Sequence, residues 1–218
     1  MMMLSSRRWH EISPSRFRVR GIFRGAVTKA AQPLIHRNIH PDSVTYLMVL
    51  MALMAFLILT LLHSQVFFGL FVFLVGFLDG VDGMVARAGQ RSSRAGGFTD
   101  SFLDKVSEAI LLLGIGVAYE SVSLLGLSIS IWIFLCLAGW LLTSYSRSRA
   151  ESLGVKDLDI GIGARSERLL TLVIFSLLSL LQWGLVVVTL LGLSTAAYRF
   201  YHYKRELEAI SQPQDHHT

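Results

Sequence analysis

The sequence predicts an all-α integral membrane protein with six transmembrane helices preceded by an interfacial amphipathic helix. Three observations carry this expectation. Hydrophobic residues make up 53% of the chain and charged residues only 16%, against about 25% charged in an average soluble domain. Apolar stretches close to the ~20 residues needed to cross a bilayer recur along nearly the whole length. Lys and Arg collect in alternate links between those stretches, as expected of a chain threaded back and forth through a membrane.

The spans fall at about Val44–Leu62, Val66–Arg87, Phe98–Ala118, Ser123–Tyr145, Arg165–Leu181 and Trp183–Phe200. The second is apolar only as far as Leu78. Its last turns carry Asp79 and Asp82, which lipid-facing surface does not explain. The links His63–Gln65, Tyr119–Val122 and Gln182–Gly184 contain no Lys or Arg. Basic residues lie instead in the N-terminal segment (Arg7, Arg8, Arg16, Arg18, Arg20, Arg24, Lys29, Arg37), in the second-to-third link (Arg91, Arg94), between the fourth and fifth spans (Arg147, Arg149, Lys156, Arg165, Arg168) and in the tail (Arg199, Lys204, Arg205). The positive-inside rule therefore puts both termini and the second-to-third link on the cytoplasmic side of the cell membrane.

Residues Ser15–Leu34 intersperse Phe17, Ile22, Phe23, Val27 and Leu34 with Arg and Lys, the pattern of a helix lying on the inner leaflet. The expected organisation is a basic cytoplasmic segment over residues 1–40, a membrane domain over 41–205 and a polar tail over 206–218. The first apolar stretch is not expected to be a secretory signal, because about forty polar, basic residues precede it and no small-residue cleavage site follows. The single cysteine, Cys136, excludes an intramolecular disulfide and a thiolate cluster and reads as a small core side chain. The net charge of +5 gives no case for nucleic acid, because the basic residues flank spans and suit anionic headgroups.

The chemistry concentrates in eight residues, Asp79-x2-Asp82-Gly83-x2-Ala86-Arg87-x8-Gly96-x3-Asp100-x3-Asp104. At 100° per residue the first five fall within an arc of about 140°, and Gly96, Asp100 and Asp104 within about 80° of the next helix. Four carboxylates on two facing helices are costly to bury unless cations neutralise them. Oxygen donors without His or Cys favour Mg²⁺, with Mn²⁺ as the alternative, and four carboxylates balance two such ions. Two ions can clamp a phosphate oxygen during an in-line displacement. Gly83 and Gly96 clear space for a phosphate or a neighbouring helix, and Arg87 offers a fork to a phosphate. Structural ion pairing of these acids with Arg87, Arg91 and Arg94 is the plainer reading, but the eight-position coincidence has a chance on the order of 10⁻¹⁰ per starting position.

The segment DGVDGMVARAGQRSSRAGGFTDSFLD resembles the signature of the CDP-alcohol phosphatidyltransferase family at every defining position, and the similarity extends over the six spans. The resemblance implies a homodimeric six-helix membrane enzyme of phospholipid synthesis that transfers a lipid phosphate from CDP-diacylglycerol or CDP-archaeol to an alcohol and releases CMP. It implies Asp79, Asp82 and Asp100 as ligands of a first metal and Asp79, Asp100 and Asp104 as ligands of a second. Asp104 is also implied as the base that deprotonates the attacking hydroxyl. A carboxylate beside a divalent cation is a weak base, so this role requires the ion to acidify the hydroxyl as well. Gly83, Arg87 and Ser93 match positions that hold the cytidine diphosphate. Pro41-Asp42-Ser43-Val44-Thr45 is similar to the family's Pro-Asn-x-x-Thr, with Asp42 in place of Asn.

For the acceptor, the stretch from Tyr145 to Leu169 resembles members that use inositol phosphate. Arg147, Arg149, Arg165 and Arg168 would suit an acceptor bearing its own phosphate, although positive-inside bias alone also accounts for arginines there. Glycerol 3-phosphate is the competing acceptor, as in a phosphatidylglycerophosphate synthase. Glu108 continues the Asp100–Asp104 stripe by one turn and reads as a bundle-interior hydrogen bond, or as a group that orders water or the acceptor. A contrasting function is a cation transporter, whose acids belong near the bilayer midplane on broken helices. These acids instead lie at the cytoplasmic ends of two spans.

Overall fold

The computed structural model describes residues 19–88, 93–158 and 160–211. Among the described residues the chain forms seven helices and one short hairpin: α1 (Val19–His36), α2 (Pro41–Leu62), α3 (Gln65–Ala88), α4 (Arg94–Ala118), β1 (Ser123–Leu124), β2 (Leu127–Ser128), α5 (Ile129–Ser152), α6 (Arg165–Leu177) and α7 (Leu181–Ser211). Residues 1–18 and 212–218, together with Arg91, lie outside the described residues. The interfacial helix expected from Ser15 is therefore described only from Val19 onward.

Local chemistry starts α2, α4 and α5. Pro41 stands at the first position of α2, where its missing N–H is no loss, and the Asp42 N–H donates to His40 Nδ1 at 3.3 Å. Ser93 caps α4 by accepting from Gly96 N at 2.9 Å, and Ser128 caps α5 by accepting from Ile131 N at 3.4 Å. The last cap corrects an expectation. The fourth span was expected to begin at Ser123, but Ser123–Ser128 forms the antiparallel hairpin because Leu125 and Gly126 both take positive φ (52° and 78°). Two consecutive left-handed residues make a tight hairpin turn that no helix can run through. The fifth helix likewise stops at Leu177 rather than Leu181. Ser179 at φ 57° breaks the chain at residues 178–180, so the turn falls before Gln182 and not at Gln182–Gly184.

Among the described residues, four helices are long and apolar enough to cross a membrane: Pro41–Leu62, Gln65–Arg87, Ile129–Ser152 and Leu181–Ile210. The chain is a multi-pass helical membrane protein. α4 has sufficient length, 25 residues, but carries Asp100, Asp104, Lys105 and Glu108. α6, with 13 residues, rises only about 20 Å against a hydrocarbon thickness of about 30 Å.

α2 lies along both α3 and α4, which touch one another little, so the three splay around it. α5 and α7 form a second closely packed pair, and α6 bridges α3 to α7. Small residues set these approaches. A Cβ at Gly69 of α3 would lie 2.6 Å from the Cβ of Ser176 on α6, and one at Gly139 of α5 would lie 3.0 Å from Leu193 N on α7. Thr143 Oγ1 donates to Gly192 O (3.0 Å), and Arg199 reaches from α7 to Thr143 O (2.7 Å) and Ile160 O (3.1 Å). Cys136 is fully buried in the main core beside these elements, as its small-core reading required. α1 packs on α3 through Phe23 against Phe73 (5.6 Å between ring centres) and through buried Val27 over Gly80.

Gly69→Val should lower the thermal stability of the detergent-solubilised protein by about 1–3 kcal/mol, because the new side chain has no room against Ser176. Gly25→Ala, with no atom within 4 Å of the added Cβ, should leave it unchanged. Fluorescence-detected size exclusion after heating reads the difference.

Candidate active site

Splaying α3 and α4 around α2 leaves their charged halves facing a common space. Carboxylate oxygens of Asp79 and Asp82 on α3 and Asp100 on α4 all lie within 4.8 Å of one another. Asp82 is buried, and its Oδ2 accepts from the Thr45 hydroxyl of α2 at 3.1 Å. Thr45 thus fixes one rotamer of a metal-ligand candidate, as an orienting partner behind a ligand does.

Asp104 lies outside the group of three and shares a cation with Asp79. Its Oδ1 lies 2.6 Å from Arg165 Nη1, and the same nitrogen pairs with Asp79 Oδ1. Arg165 also meets Glu108 Oε1 through Nε at 3.2 Å and Met48 Sδ through Nη2 at 3.4 Å. Glu108 is buried and holds two further cations, Lys105 Nζ at 3.0 Å and Arg168 Nη2 at 3.4 Å. The Arg168 guanidinium stacks over the Trp140 ring at 4.5 Å. The acids therefore form a graded cluster. Asp79, Asp82 and Asp100 are gathered for a cation, and Asp104 and Glu108 lie on the Arg165 side.

Two cavities open onto this cluster. A larger one of about 460 Å³ is lined by Asp79, Asp82, Asp100, Arg87 and Ser166, with Phe73, Phe77, Leu169 and Val173 as an apolar wall. A smaller one of about 100 Å³ is enclosed by Pro41, Asp42, Thr45, Ser93, Gly96 and Gly97. Asp82, Gly83 and Asp100 line both. The larger cavity suits a molecule with an apolar end and a charged end, and the smaller suits a compact polar group. Among the described residues, neither cavity is lined by His or Cys. The donor set is all hard oxygen, and it fits Mg²⁺ or Mn²⁺ and not a softer metal.

Most residues expected at the site converge there. The place of a Gly83 side chain is taken by Arg87, whose Nη1 would be 3.3 Å from a Cβ built there. A Cβ at Gly96 would meet Ser93 Oγ at 3.1 Å and Asp42 Oδ1 at 3.6 Å, so that glycine lets α4 close onto the start of α2. Ser43 is exposed and lines neither cavity, and Val44 is buried in a core with Val27, Val81 and Val85. The four arginines expected at an acceptor phosphate do not form one group. Arg165 and Arg168 point into the acid cluster, Arg147 is exposed, and Arg149 lines a separate groove between α5 and α7 with Tyr201 and Lys204.

One participant was not singled out from the sequence. Arg24 of α1 lines the larger cavity beside Phe23 and Val27, so the N-terminal helix forms part of its wall. The signal was present, because Arg24 falls on the same helical face as Val27 and Thr28, but which face α1 turns to α3 is a tertiary fact.

Thr45→Val should raise the Kd for Mn²⁺ by roughly 10–100-fold, the usual effect of removing a ligand's orienting partner. Electron paramagnetic resonance of free Mn²⁺ during titration measures it. An unchanged Kd would separate Asp82 orientation from cation binding.

Residues 38–198 match the CDP-alcohol phosphatidyltransferase family. The archaetidylinositol phosphate synthase of Pyrococcus horikoshii is 38% identical over 147 residues, spanning 67% of this chain and 74% of that protein. The phosphatidylinositol phosphate synthase of Cutibacterium acnes is 30% identical over 212 residues, spanning 86% of this chain and 98% of that protein. The crystal structure of Mycobacterium tuberculosis phosphatidylinositol phosphate synthase with CDP-DAG bound shares the fold, with a TM-score of 0.67 at 23% identity over 81% of this chain and 92% of that one. The same protein in complex with manganese and citrate gives a TM-score of 0.68 at 22% identity, over 82% and 88%. With the family match covering α2 through most of α7 and including every residue of the acid cluster, this chain belongs to the CDP-alcohol phosphatidyltransferase family.

Proposed function

We propose that this transferase moves a phosphatidyl or archaetidyl group from a CDP-linked lipid to inositol phosphate and releases CMP. The observation that carries the acceptor assignment is Arg165, a guanidinium set beside Asp104 and Asp79 where the attacking hydroxyl has to arrive. A cation next to the candidate base suits an acceptor that brings its own phosphate. Relatives named archaetidylinositol phosphate synthase and phosphatidylinositol phosphate synthase support the same choice over glycerol 3-phosphate.

In this reading the CDP-lipid enters the larger cavity with its acyl or isoprenoid chains along Phe73, Phe77, Leu169 and Val173. The cytidine end occupies the smaller cavity between Asp42, Thr45 and Ser93, and Arg87 and Arg24 face the pyrophosphate from the rim. Asp79, Asp82 and Asp100 would hold one Mg²⁺ or Mn²⁺ and Asp79, Asp100 and Asp104 a second, which would neutralise charge on the pyrophosphate and on the departing CMP. The acceptor hydroxyl oxygen forms a bond to the lipid-side phosphorus while the bond from that phosphorus to the CMP oxygen breaks. Asp104 takes the hydroxyl proton. Arg165 holds the acceptor phosphate, so the hydroxyl is presented at a fixed distance from Asp104.

The arrangement in the membrane follows the charge pattern of the links. We read six spans, with α4 and α6 completing the four long apolar helices. The termini and the acid cluster face the cytoplasm, α1 lies on the inner leaflet, and residues 41–205 form the membrane domain of a homodimer. The basic residues beside the acid cluster and the absence of Lys or Arg from the opposite links support this.

Purified protein given a CDP-lipid and Mg²⁺ should release CMP with inositol phosphate and much more slowly with glycerol 3-phosphate, serine or free inositol. Preference for glycerol 3-phosphate would overturn the acceptor assignment alone. Asp104→Asn should lower kcat by roughly 10²–10⁴, and chelation by EDTA should abolish turnover reversibly. For orientation, in a Cys136→Ala background, His63→Cys should react with an impermeant maleimide on intact cells. Gly154→Cys should react only after permeabilisation.

A further inference from the structure

We propose that Arg165 is a built-in counter-cation of Asp79 and Asp104 that competes with a divalent cation for these carboxylates, and that Glu108 is the positioning residue that lets it yield. The inference rests on the reading of Asp79, Asp100 and Asp104 as a second cation site. One nitrogen, Arg165 Nη1, contacts both Asp79 Oδ1 and Asp104 Oδ1. An ion ligated by those two acids would stand against a fixed positive charge in a poorly solvated site, where like charges repel strongly. The two cation positions are therefore unequal. Arg165 Nη1 contacts one ligand of the first position, Asp79, and two of the second, Asp79 and Asp104, and the first position already has its three oxygens within 4.8 Å.

Glu108 grips the opposite edge of the same guanidinium, through Nε at 3.2 Å. It is itself fixed, being buried and tied to Lys105 Nζ (3.0 Å) and Arg168 Nη2 (3.4 Å), with Arg168 pinned over Trp140. When Nη1 gives up Asp79 and Asp104, Glu108 keeps Arg165 paired. Without Glu108, the same release would strand a buried, unpaired cation, and the guanidinium would cling to Asp79 and Asp104 more tightly. Removing Arg165 and removing Glu108 thus have opposite effects on cation binding. General damage to packing would weaken binding in both.

The test is Mn²⁺ titration of the full chain in detergent without lipid substrate, followed by electron paramagnetic resonance of the free ion. The wild-type protein should show one tight and one weak site per chain. In Arg165→Gln the weak site should tighten by at least roughly tenfold, and in Glu108→Gln it should weaken by about as much, while the tight site, which shares only Asp79 with the guanidinium, moves in the same direction by a smaller factor. Arg165→Lys, which keeps the charge, should leave the weak site weak, so a loosened structure and a lost charge give different results. A weak site that shifts in Arg165→Gln in the same direction as in Glu108→Gln, or that does not shift, overturns the inference alone. A single site in all the proteins overturns it together with the two-cation reading.

Discussion

Four elements of this bundle meet at one guanidinium. Arg165, at the first turn of α6, reaches Met48 on α2, Asp79 on α3, and Asp104 and Glu108 on α4. Buried carboxylates in a membrane protein are tolerated only when paired, and removing one partner of such a pair typically costs about 3–5 kcal/mol. The position of α6 is therefore tied to the charge state of the cluster as well as to apolar packing. The same contact ties α6, which also packs on α7, to the two helices that carry the acids.

Packing provides the precision this charge contact needs. Gly69 allows α6 to approach α3 closely enough for Arg165 to reach two helices, and Gly96 allows the start of α4 to close on Asp42. The Thr45 hydroxyl then sets Asp82 from the third helix. Asp79, Asp82 and Asp104 are each held by a side chain from an element other than their own, so this arrangement forms only when the bundle does. Such an arrangement suits phosphoryl transfer, in which the protein contributes mainly positioning and charge.

The two cavities meet at the acid cluster. Their shared wall, formed by Asp82, Gly83 and Asp100, joins the large chamber walled by Phe73, Phe77 and Val173 to a small one beside Asp42, Thr45 and Ser93. A lipid pyrophosphate has the same junction at its centre, and α1 extends the apolar chamber with Phe23 and Val27 while adding Arg24 at the rim. The N-terminal helix is thus part of the cavity wall.

Helical class, membrane residence and the acid motif were legible in the sequence, because hydropathy and 3.6-residue periodicity are local properties that neighbours do not alter. Asp79, Asp82 and Asp100 came together as the spacing required. Element ends were less legible: the hairpin at Ser123–Ser128 and the break at Ser179 depend on positive-φ residues, Leu125 and Ser179, whose side chains do not announce them. The sequence alone could not say that Asp104 and Glu108 share Arg165, that Arg149 lies in another groove, or that Val44 serves the core. Those facts depend on which face each helix turns toward its neighbours. Helix rotation is decided by contacts such as Gly69 against Ser176, between residues more than a hundred positions apart in the chain.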